Sequence, residues 1–155
     1  MLFLMIKILL LSLLFSFSVF ANFEVGMEAY EEGDYTTALK EFKKLAKQED
    51  AEGQVGLGLM YHHGKGVTQN YEEAAKWFRL AADQGYARAQ YNLGYMYQKG
   101  LGVTFNPVIS LMWINIAAIN KYEKAKETLN YIISEMTSIE TGKNIAHANK
   151  LAHQC

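Results

Sequence analysis

The chain has 155 residues, is 50% hydrophobic and carries a formal net charge of −1. That is one domain's worth of chain with apolar content enough for a continuous core, and a near-neutral balance without a basic stripe excludes electrostatic nucleic-acid binding. One proline and one cysteine exclude long proline-rich linkers and any internal disulfide.

Residues 1–21 are nearly all apolar, with Lys7 as the only charge. Residues 8–20 read as the apolar core of a secretory signal. Val19-Phe20-Ala21 supplies suitable −3 and −1 positions, so cleavage before Asn22 is expected. The same stretch is long enough to span a bilayer if it is retained as an anchor, the one case in which a membrane partner is expected. Either way the remaining chain is expected to be exported, periplasmic or secreted. No cysteine follows the leader, which leaves lipid attachment there unsupported.

Residues 23–50 form a short helix-turn-helix unit. Phe23, Gly26, Met27 and Tyr30 share one side of a helix, Gly33-Asp34-Tyr35 is a tight turn, and Ala38, Leu39, Phe42, Leu45 and Ala46 recur at helical spacing. Asp34 and Asp50 stand where a carboxylate caps the next helix.

Residues 51–86 recur as residues 87–122 at an offset of 36, the distance from Gly64 to Gly100. Gln54 meets Gln90, Leu57-Gly58 meets Leu93-Gly94, Met60-Tyr61 meets Met96-Tyr97, Trp77 meets Trp113, and Ala81-Ala82 meets Ala117-Ala118. A period of this size marks a stacked repeat. Gly26, Gly58 and Gly94 occupy equivalent places, as expected where a neighbouring helix comes close. Gly53 and Gly56 have no counterpart in the next copy, and the sequence gives no account of them.

The loops Gly64-Lys65-Gly66-Val67 and Gly100-Leu101-Gly102-Val103 read as turns that end one helix. Neither matches a phosphate-binding fingerprint. Asn70 and Asn106 are positioned as caps, with Glu73 reaching back in the first copy and Pro107 at the first helical position in the second. Residues 108–119 are apolar almost all round, which predicts burial on every side. The expected cover is the tail. Residues 123–136 carry Ala125, Leu129, Ile132, Ile133 and Met136 at helical spacing. Thr137 and Glu140 form a capping-box pattern for a last helix to about residue 154, a terminal cap with Lys143, Asn144, His147 and Lys150 outward.

These residues carry a resemblance. Ala51, Gln54, Leu57, Gly58, Met60, Tyr61, Gly64, Gly66, Val67, Ala74, Trp77, Ala81, Ala82 and Gly85 match the pattern of the Sel1-like repeat, a relative of the tetratricopeptide repeat with a longer loop. The second copy departs at Ser110 and Lys121, and residues 23–48 look more like an ordinary tetratricopeptide unit. The resemblance implies an all-α, right-handed α-solenoid of about four antiparallel helix pairs: units 23–50, 51–86 and 87–122, and a cap at 123–155. It implies first helices on a concave face and second helices on a convex one. It further implies a scaffold for protein complexes with no catalysis and no cofactor. A cysteine-rich subset of the family that binds or hydrolyses β-lactams is stapled by paired cysteines, which this chain lacks. The resemblance therefore does not carry that activity over, and an envelope protein that binds peptidoglycan or a β-lactam-like ligand is the alternative reading, on family analogy only.

No nucleophile elbow, catalytic acid pair or zinc-hydrolase signature is present. His62-His63 read as polar residues at a helix C-terminus, since adjacent histidines point in different directions and fit a metal poorly. His147, His153 and Cys155 are poorly spaced for a metal, and Cys155 reads as an incidental thiol or an intermolecular disulfide partner. Candidate partner-binding positions are the first-helix residues that do not hold the fold. In the first unit these are Phe23, Met27, Tyr30 and Glu31. In the second they are Glu52, Val55, Leu59, His62 and His63, and in the third Arg88, Tyr91, Tyr95, Gln98 and Lys99. Their mixture of aromatic, charged and apolar groups suits a protein or peptide partner, although any of them could instead pack between repeats.

Overall fold

A computed structural model describes residues 22–134. The leader at 1–21, the last helix expected from 137, His147, His153 and Cys155 lie outside the described residues. Among those described there are seven helices and no strand: α1 (22–32), α2 (Tyr35–Ala46), α3 (Ala51–His63), α4 (Tyr71–Asp83), α5 (Ala87–Lys99), α6 (Pro107–Ile119) and α7 (123–134). From α2 to α6 each helix packs chiefly on its neighbours in the chain, the arrangement of an all-α repeat stack. None of the helices described is long and apolar enough to cross a membrane.

The helix starts follow the cap chemistry. Asp34 accepts from Thr37 N–H, Asp50 from Glu52 and Gly53 N–H, Asn70 from Glu73 N–H, and Asn106 from Val108 and Ile109 N–H. The Glu73 carboxylate does not reach back as expected; it pairs with Lys76 at 2.6 Å. The loops end α3 and α5 with Gly64 and Gly100 in the left-handed region, at φ 66° and 65°.

Counted from the cap, every second helix repeats one pattern. Asp34, Asn70 and Asn106 are followed eight residues later by Phe42, Phe78 and Ile114, all fully or almost fully buried. Each of these side chains lies on the glycine of its own first helix: Phe42 on Gly26, Phe78 on Gly58, Ile114 on Gly94. The equivalence of those three glycines holds. The two unexplained glycines now have a cause as well. Gly56 also lies against the Phe42 ring, at Cγ and Cδ1, and Gly53 lies against Leu45 Cβ, with its own missing Cβ only 2.7 Å from the Ala46 backbone nitrogen.

Buried polar groups repeat with the same period. Gln54 accepts from Gln84 Nε2 at 2.9 Å, and Gln90 accepts from Asn120 Nδ2 at 2.9 Å. Gln90 also donates to the Ala82 carbonyl at 3.2 Å, which ties α5 to the end of α4. Between units, Glu49, Gly85 and Lys121 stand at the same position with φ 60°, 87° and 65°. The turn imposes the left-handed conformation whether or not a glycine is there.

The expectation that α6 is covered on every side does not hold among the described residues. Ala125 and Leu129 of α7 pack with Ile114, Ala117 and Ala118 on one side only. Val108, Leu111, Met112 and Ile119 remain exposed, Val108 at 76% and Ile119 at 70%.

Two substitutions test this account through chemical denaturation. Gly53→Ala gains about 1 kcal/mol in helix propensity but collides with the backbone of α2, so the net effect is a destabilisation of about 2 kcal/mol; a stabilised variant would refute the contact. Lys121→Gly relieves a left-handed non-glycine residue and stabilises by roughly 0.5–1 kcal/mol; no gain in midpoint would count against an imposed turn.

Candidate functional site

First helices supply most of one cavity of about 330 Å³. Leu59, His62 and His63 come from α3, Tyr91, Asn92 and Tyr95 from α5, and Lys124 from α7. Phe78 and Met96, both almost fully buried, line it from the core. The cavity follows from the difference between the two copies. Where Gly56 closes over Phe42, the next unit has Asn92, 36 residues on, which stands in the cavity beside Phe78.

The lining is rich in donors and holds no carboxylate among the described residues. Asn92 Nδ2 is buried and has no hydrogen-bond partner among the described residues. Lys124 Nζ sits 5.7 Å above the Tyr91 ring, and Tyr91 stacks against Tyr122 with centroids 5.4 Å apart. The His62 and His63 Nδ1 atoms stand 3.4 Å apart, and which of them donates is set by the tautomers. His62 also meets Tyr71 edge-on at 5.4 Å and lies 6.3 Å from Tyr95. No third metal-ligating side chain joins the histidines among the described residues. An aromatic wall with amide, phenol, imidazole and ammonium donors can hold an extended segment by stacking and by bonds to its acceptors.

The structure brings together Leu59, His62, His63, Tyr91 and Tyr95 and leaves the other candidates elsewhere. Val55 is corrected: it is 0% exposed and packs in the main core cluster, so it holds the stack and cannot touch a partner. Glu52 is half-buried and accepts from the Tyr86 hydroxyl at 3.2 Å. Burial pushes the Glu52 carboxyl up, against the pull of that bond, and burial with the Glu52 charge pushes the Tyr86 phenol up to about 12. Glu52 therefore links α3 to the start of α5. Tyr30 stacks edge-on with Tyr35 in the first unit, beside Phe23 and Met27 in its core. Glu31 and Lys99 are exposed and Arg88 half-buried, all outside the cavity. Gln98 borders a separate depression with Pro107 and Leu111. Sequence reasoning missed Asn92 and Lys124. Lys124 was within reach, because it continues the series Glu52, Arg88 by one more period.

Comparison with known proteins places this architecture. The Sel1 repeat model matches residues 19–48, 51–86 and 87–122. The chain belongs to the Sel1 repeat family. The first unit is thus a Sel1 repeat too, not an ordinary tetratricopeptide unit. No curated protein matches. Among solved structures, a Sel1 repeat protein from Oxalobacter formigenes is 35% identical, with a TM-score of 0.66 over 71% of this chain and 45% of its own. The protective antigen c5321 of uropathogenic Escherichia coli, described as displaying an SLR fold, is 34% identical, with a TM-score of 0.66 over 76% of this chain and 26% of its own. The chain spans less than half the length of either. Helicobacter pylori cysteine rich protein B, at 18% identity and a TM-score of 0.57 over 72% of this chain and 94% of its own, shares the fold. Sel1 repeat proteins generally serve as scaffolds for protein–protein interaction.

Burial, and then the charge of His63, holds the His62 imidazole below its ordinary value of 6.5. The unfolded chain therefore takes up that proton first, and stability present at neutral pH is lost as pH falls. Between about pH 7 and about pH 5 the wild type loses more melting temperature than His62→Gln. Thermal melts at the two pH values check this, and equal losses would refute it.

Proposed function

We propose that this Sel1 repeat protein is an exported interaction module that takes an extended segment of a protein partner into the cavity between α3, α5 and α7. The observation that carries the reading is the cavity walled by Tyr91, Tyr95, His62 and Lys124, which offers phenol, imidazole and ammonium donors and has no carboxylate among the described residues that line it. Such a lining favours a segment that presents acceptors, either backbone carbonyls or acidic side chains, to donors already in place. Export rests on the apolar leader at 1–21 with Ala21 at the cleavage position. The repeats supply the scaffold, and no catalytic step is assigned to it.

The test is affinity capture from the exported compartment with wild type and with Tyr95→Ala/Lys124→Glu. Both side chains are exposed, so the variant keeps its helical circular dichroism and melts within about 2 °C of wild type. Tyr91 is unsuitable for this purpose because it also packs on Tyr122. Loss of at least about tenfold in captured protein is expected, equivalent to about 1.4 kcal/mol. Unchanged capture overturns the site. Retention on purified cell wall instead of on envelope protein overturns the class of partner.

A further inference from the structure

The two histidines that end α3 meet more closely than their sequence positions predict. Adjacent residues on a helix point in different directions, and on that ground His62 and His63 read as a poor pair for a metal. In the structure their Nδ1 atoms are 3.4 Å apart, with the ring planes at 78° and the centroids 4.5 Å apart. His63 is the last residue of α3, and Gly64 turns the chain in the left-handed region directly after it. Each side chain uses Nδ1, the ring nitrogen nearer the backbone.

That separation is long for a hydrogen bond, in which an N–H nitrogen sits about 2.7–3.2 Å from its acceptor. It matches the span of two ligands on one tetrahedral ion. Two nitrogens about 2.05 Å from a Zn²⁺ ion, at the tetrahedral angle, lie about 3.35 Å from each other. The same bond lengths at a right angle, as on a square-planar ion, give about 2.9 Å. The χ2 torsion of histidine is broad, so aiming both lone pairs at one point needs no change of rotamer.

The surroundings hold His62 and leave space beside it. Gln69 Nε2 donates to the His62 carbonyl at 2.8 Å and to the Tyr71 hydroxyl at 3.0 Å. The His62 ring meets Tyr71 of α4 and Tyr95 of α5. Burial, and then the charge of His63, favours the neutral imidazole that a metal requires. Both histidines line the cavity between α3, α5 and α7, where the Lys124 ammonium is drawn over the Tyr91 ring. No further metal-ligating side chain completes the pair among the described residues, so an ion there keeps open positions. The stack does not need the pair, since the same two positions of α5 hold Gln98 and Lys99.

We propose that His62 and His63 bind one Zn²⁺ ion through their Nδ1 atoms, with water in the remaining positions on the cavity side. The ion binds the chain alone, with or without a partner segment in the cavity.

Calorimetric titration of the full chain with zinc chloride near neutral pH tests this, and one ion per chain is expected. His62→Gln and His63→Gln are each expected to weaken binding at least about tenfold, with helical circular dichroism unchanged. His63 is exposed, so its variant separates lost ligation from lost folding. His147→Gln/His153→Gln/Cys155→Ser removes the remaining histidines and the cysteine and is expected to leave the affinity within about twofold of wild type. Long-range proton–nitrogen NMR spectra identify the ligating ring nitrogens, and Nδ1 is expected on both. The proposal is overturned by absence of binding to wild type, by binding that neither single substitution changes, by loss confined to the triple variant, or by ligation through Nε2.

Discussion

The structure depends on how closely each second helix approaches its own first helix. A large side chain eight residues from the cap lies directly on a glycine, and no Cβ fits between them. Phe42 meets two glycines in this way, Gly26 of its own unit and Gly56 of the next. Interiors are packed densely enough that a single methyl group is felt, so these contacts set the spacing of the whole stack. Glycine is a poor helix former, and its presence inside α3 is the local cost of that spacing.

Most of the architecture was legible because the repeat writes the same physics twice. The helices, their caps, the left-handed turns after α3 and α5 and the closely packed glycines all follow from residues matched at one offset. What stayed illegible were features in which one copy departs from the other. Gly56 and Asn92 share a position yet have opposite consequences: one closes over a ring, the other leaves a cavity beside it. Val55 and Tyr91 share another, and only the second reaches that cavity. A periodic pattern reports the average environment of a position, so it placed Val55 on the partner face although α4 and α5 bury it. Conversely, Lys121 broke the glycine pattern without breaking the turn, because backbone geometry there is set by the packed helices on either side.

Polar contacts show the same division. Gln54 with Gln84 and Gln90 with Asn120 repeat, and they belong to the stack. The Arg79 guanidinium has one setting only, held by the Tyr97 hydroxyl at 2.6 Å and lying 5.3 Å over the Trp113 ring. The His62–His63 pair likewise has no repeated equivalent, and it stands in the cavity. Buried polar groups that recur hold the scaffold together, whereas those that occur once mark where the surface has been given its own chemistry.

Packing between chain neighbours also bears on how the molecule is made. Almost every helix finds its partner within a few tens of residues, so little loop-closure entropy separates one contact from the next. Such topologies have low contact order and fold quickly. Each unit acquires its partner as soon as the following helix is available, so assembly of the described residues can proceed in the order in which the chain emerges, with no strand among them to wait for.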